Sequence, residues 1–87
     1  DEGALYRSTV WVENFHWVSL PPQGGPVEVT AKTRYSQTEC PAVLCPEADG
    51  TVRAEFVRPQ RAPAPGQSLV AYQGEAVVGG GIICRTE

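Results

Sequence analysis

Apolar and polar positions alternate along most of the chain. Between Leu5 and Val18, Val10 and Val12, then Phe15 and Trp17, are apolar at every second position, with the phase slipping at Glu13-Asn14. Period-two alternation marks a half-buried strand, and a phase slip marks a bulge or bend. From Val27 to Gln37, Val27, Val29, Ala31, Thr33 and Tyr35 share one face, while Glu28, Thr30, Lys32, Arg34 and Ser36 share the other. This predicts a strand with one wet, partly basic face. Cys40–Pro46 and Thr51–Val57 flank Asp49-Gly50, the usual positive-φ turn pair, and predict a hairpin. Val52, Ala54 and Phe56 point one way; Arg53 and Glu55 point to solvent. Ser68–Tyr72 and Ala76–Cys84 predict a second hairpin around Gln73-Gly74-Glu75.

The joints are equally legible. Residues 1–4 read as a frayed end. Pro21-Pro22-Gln23-Gly24-Gly25-Pro26 is a loop. Pro59, Pro63 and Pro65 stiffen the stretch before Gly66 and forbid a helix there. Gly79-Gly80-Gly81 lies inside a strand, where glycine marks a bulge, a barrel corner or close backbone approach. A barrel corner is the preferred expectation, with Gly80 as the residue that would take positive φ there. About six strands are counted and no segment has helical period. Closing such a sheet removes its edges, so the expected fold is all-β, a small antiparallel β-barrel. Periodicity alone leaves a sandwich equally open.

The chain has 87 residues, no methionine and Asp1 at its start, which reads as a single domain, residues 1–87, cut from a longer protein. No apolar run approaches the ~20 residues of a membrane span. The 3 cysteines are an odd number, which favours reduced thiols in the cytoplasm over a disulfide framework. A net charge of −3 opposes general nucleic-acid binding, which draws on clustered Lys and Arg.

Four chemistries have candidate residues in the sequence. Cys40 and Cys45, with Cys84 and His16, could be written as a metal site. Positions five apart on a strand face opposite ways, however, and packed thiols are the simpler reading. His16 between Phe15 and Trp17 reads as a packed or surface histidine rather than a base. The glycine run lacks the helix N-terminus and Lys-Ser/Thr of a phosphate loop. RNA contact has better candidates: Lys32, Arg34, Arg58 and Arg61, with Gln67 and Tyr35 nearby.

A motif sharpens this reading. Arg61-Ala62, Pro65-Gly66-Gln67, Tyr72-Gln73-Gly74-Glu75 and Gly79-Gly80-Gly81-Ile82 together resemble the C-terminal end of the tRNA-specific 2-thiouridylases (the MnmA/TrmU family). Lys32-Thr33-Arg34-Tyr35-Ser36-Gln37 is a second similar segment, with Ser36 where the family often carries a further Arg. Asn14 to Trp17 is a looser match. The resemblance runs from Leu5 to Ile83. It implies a C-terminal barrel similar to domain 2 of elongation factor Tu. It also implies tRNA-contacting roles for Arg34, Tyr35 and Gln67, gripping the anticodon arm so that the wobble uridine is thiolated.

By the same resemblance the parent enzyme uses ATP with magnesium and a cysteine persulfide, fed by a sulfur-donor protein. Its ATP loop and catalytic cysteines lie in upstream domains of the same chain. This piece carries no catalytic residue, and Cys40, Cys45 and Cys84 match no catalytic context. The alternative is a structural or protein-interaction barrel with no strong RNA contact.

Overall fold

In a computed structural model, residues 6–19, 25–34 and 38–87 are described. They form β1 (Tyr6–Trp17), β2 (Val27–Lys32), β3 (Cys40–Pro46), β4 (Val52–Arg61), β5 (Ser68–Gln73) and β6 (Ala76–Thr86). The strands close into an antiparallel barrel in the order β1-β4-β3-β2-β5-β6. Closure, rather than a two-sheet sandwich, leaves every strand paired on both sides.

The alternation in the sequence is the alternation of the wall. Val10, Val12, Val29, Ala31, Ala42, Leu44, Val52, Ala54, Phe56, Leu69, Ala71, Val78 and Ile83 point inward and form one buried core. Four of these are alanines, as the narrow interior of a six-stranded barrel requires. Leu44, Leu69 and Ile83 supply the bulk. Burying each such side chain stabilises the fold by roughly 1.5–3 kcal/mol.

Both hairpin turns form where the sequence placed them. Gly50 adopts φ 93° and Gly74 φ 59°. Glu75 is not in the left-handed region, so the two-residue turn has positive φ at its first central residue only, as a type II′ turn does.

Three expectations need correction. β2 ends at Lys32, with Thr33 and Arg34 in a bend; residues 35–37 lie outside the described residues. Pro59 does not end β4, which continues to Arg61. It sits where pairing with β1 is interrupted, between Thr9↔Glu55 and Arg7↔Gln60, so its missing N–H costs no ladder bond to β1.

The third correction concerns the glycines. None of Gly79, Gly80 and Gly81 has positive φ. They are glycines because neighbouring backbone is too close for a side chain. A Cβ on Gly80 would meet the Leu69 carbonyl oxygen at 2.7 Å, one on Gly81 the Glu13 carbonyl oxygen at 2.7 Å, and one on Gly79 would run into the His16 carbonyl oxygen. The bulge at Glu13-Asn14 is the other half of this feature. The β1–β6 register slips between Glu13 and His16, and Asn14 takes φ 54° there. The extra β1 residue bows toward β6, and only bare backbone leaves it room.

Candidate functional site

In the ring of strands, β4 and β5 stand opposite each other, so the segment joining them must cross a mouth of the barrel. This is the Pro-rich stretch 62–67. Pro63 is buried within it, and Gln60 and Thr33, 4% and 2% exposed, are the buried polar residues of the described chain. Ala62 takes φ 49° and Gly66 φ 95°, which turn the chain sharply at both ends of the crossing.

Two of the three expected site residues hydrogen-bond this segment. Arg34, exposed in the bend after β2, donates from Nη2 to the Ala62 carbonyl at 3.2 Å. Gln67 accepts at Oε1 from the Ala64 N–H at 3.1 Å, and its own N–H donates to the Ala64 carbonyl at 3.1 Å. The Gln67 carbonyl accepts from Ile83, which ties the crossing to β6. Gln67 thus spends its acceptor on its own turn, and its amide N–H donors are what it can offer a ligand. Tyr35, the third residue, lies outside the described residues.

The other cations differ in how they are held. Arg53 pairs with Glu47 at 2.5 Å and Glu55 at 2.6 Å, and the Glu55 hydrogen bond raises its pKa. Arg85 stacks over the Trp11 ring, 3.8 Å from its centre. Lys32 and Arg34 line a groove of about 270 Å³ with Ser68, Val70 and Tyr72, and among the described residues no carboxylate lines it. Arg58 and Arg61 are exposed at the C-terminal end of β4.

Sequence reasoning missed Ser68, Val70 and Tyr72 as one surface. The signal was present: they alternate with Leu69 and Ala71, but which strand would lie beside them was not readable.

The thiols are structural in setting. Cys40 Sγ donates to the Thr38 carbonyl at 3.5 Å and Cys84 Sγ to the Trp11 carbonyl at 3.4 Å. Among the described residues, no three His, Cys, Asp or Glu side chains converge as metal ligands would. Gly79–Gly81 run flat between β1 and β5, which offers the phosphates of ATP neither a loop nor a helix N-terminus.

The described chain is a closed six-stranded barrel whose mouth is crossed by a Pro-rich strap that bears Gln67 and is hydrogen-bonded by Arg34. The chain belongs to the aminomethyltransferase beta-barrel domain family, whose model matches residues 7–83. It is 46% identical over 83 residues to tRNA-specific 2-thiouridylase MnmA of Pasteurella multocida (strain Pm70), covering 95% of this chain and 22% of that protein. It is 45% identical over 87 residues to tRNA-specific 2-thiouridylase MnmA of Xanthomonas campestris pv. campestris (strain B100), covering 100% of this chain and 23% of that one. The chain therefore spans less than a quarter of the length of these relatives.

Proposed function

We propose that this barrel is the tRNA-contacting C-terminal domain of a tRNA-uridine 2-sulfurtransferase, gripping the anticodon arm while catalytic domains of the same chain thiolate the wobble uridine. The observation that carries the reading is that Arg34 and Gln67 both hydrogen-bond one strap, beside a groove whose described lining includes Lys32 and Arg34. An arginine fork suits a phosphate, and a glutamine amide suits a base edge or ribose. The domain's contribution to rate is positional, since a small misplacement of the target costs much of the barrier lowering. Tyr35 joins the site on the strength of the family resemblance.

In this reading the work of ATP, magnesium, the persulfide and its sulfur-donor protein belongs to the rest of a cytoplasmic enzyme. No helix among the described residues is long and apolar enough to cross a membrane.

The test is binding of an anticodon stem-loop at low salt, by this chain and by the full-length enzyme. Arg34→Ala should weaken binding roughly tenfold, the scale of one charge-assisted hydrogen bond. Gln67→Glu, which keeps the acceptor for Ala64 but loses the donors, should do likewise. In an NMR titration, shifts should gather on Arg34, Tyr35 and Gln67. Unchanged affinity in both variants, with the fold intact, overturns the site. The net charge of −3 favours a second reading, a purely architectural barrel. That reading requires that neither form of the protein lose affinity through these residues.

A further inference from the structure

The groove between β2 and β5 has a chemistry that Arg34 and Gln67 alone do not use. On β5, Leu69 and Ala71 are buried, so Ser68, Val70 and Tyr72 stand on the outer wall. The register sets Lys32 opposite Val70 and Thr30 opposite Tyr72. Lys32 and Tyr72 are therefore diagonal neighbours, and the Lys32 ammonium lies 5.7 Å from the centre of the Tyr72 ring. Glu39 accepts a hydrogen bond from Thr30 at 2.7 Å, and Glu28 lines the neighbouring cleft that shares Tyr72. The result is an apolar floor of Val70 and Tyr72, a wall of two cations and a hydroxyl at Ser68.

From this arrangement we infer that the groove is a subsite for one unpaired nucleotide of single-stranded RNA. Its base stacks on the Tyr72 ring in place of the Lys32 ammonium, which swings out with Arg34 to the flanking phosphates. Aromatic platforms accept any base through its π-face, and neighbouring cations follow the backbone. A duplex keeps its bases inside, so a platform on a groove floor reaches only a base that is splayed out. The inference rests on the proposed tRNA contact of Arg34 and adds Tyr72 as a stacking residue and Lys32 as a phosphate partner.

The experiment compares a fluorescein-labelled single-stranded uridine decamer with a ten-base-pair RNA duplex, binding to this chain at low salt. Tyr72→Leu should weaken decamer binding roughly tenfold, as loss of one base stack does, and leave duplex binding unchanged. Tyr72→Phe, which keeps the ring, should match wild type. The uracil H5 and H6 resonances should move upfield on binding wild type; this readout stands even if Tyr72→Leu folds poorly. Equal decamer affinity in Tyr72→Leu, equal loss for duplex and decamer, or no upfield shift each overturns the subsite. If Arg34→Ala then still weakens the stem-loop, the tRNA reading survives without it. If the wild-type chain binds neither RNA, the subsite falls, and the stem-loop assay on the full-length enzyme decides the tRNA reading separately.

Discussion

Arg34 and Ala62 are joined by a hydrogen bond of 3.2 Å across 28 positions of sequence. Ala62 presents its carbonyl from the left-handed region, at φ 49°, where a Cβ is disfavoured. The strap over the barrel mouth is thus held by a strained residue that receives the site's arginine. Ala62→Gly should relieve that strain and leave stability unchanged or raise it by up to about 1 kcal/mol. Ala62→Val should lower it by on the order of 1–3 kcal/mol. Urea unfolding of the two variants checks this; a less stable glycine variant would show that the strain is negligible.

Gln67 divides its amide between fold and site. Gln67→Ala removes the acceptor for the Ala64 N–H and should cost about 1 kcal/mol of stability. Gln67→Glu keeps that acceptor and should melt close to wild type. Equal melting temperatures for all three proteins would mean that the turn needs no cap. Because alanine disturbs the strap as well as any ligand, the glutamate variant is the cleaner probe of binding.

The glycine run should tolerate nothing larger. Gly80→Ala would force its Cβ to within 2.7 Å of the Leu69 backbone, which no rotamer change can relieve. Shifting two strands apart costs on the order of 1–3 kcal/mol or more. Gly80→Val should be worse than Gly80→Ala. At a site whose only demand is positive φ, the added bulk of valine would collide with nothing; chemical denaturation of both variants separates the two causes.

Asp49 accepts from the Thr51 hydroxyl at 2.7 Å and from the Thr51 N–H at 2.9 Å, and these bonds, the hydroxyl foremost, hold its pKa below the usual aspartate value. A depressed folded-state pKa contributes stability that is present above the unfolded value. That stability is lost as pH falls below about 4 toward the folded value. An NMR titration of the Asp49 carboxyl should give a midpoint below that of an unstructured aspartate, and Thr51→Val should move it back up. A midpoint that ignores Thr51→Val would assign the shift to another cause.

Much of the candidate site was readable one strand at a time. Arg34 stood on the wet face of its strand, and Gln67 followed the Pro-Gly that breaks the crossing. That both would bond one strap was not readable, because it depends on β4 and β5 standing on opposite sides of the ring. Nor was Tyr72 beside Lys32, which depends on β2 pairing with β5 rather than with its neighbour in sequence alone.

What the sequence determined by itself is what local rules control. Period-two alternation decided which side chains face inward, and Asp49-Gly50 and Gly74 decided where the hairpins turn. The Glu13-Asn14 slip and the glycine triplet were each visible too. That they are one feature, a bulge in β1 received by bare backbone in β6, only the tertiary structure decided. Alternation is a property of one strand and its two faces. Register and closure are relations between strands far apart in sequence, decided by how a whole set of inward side chains fills one interior.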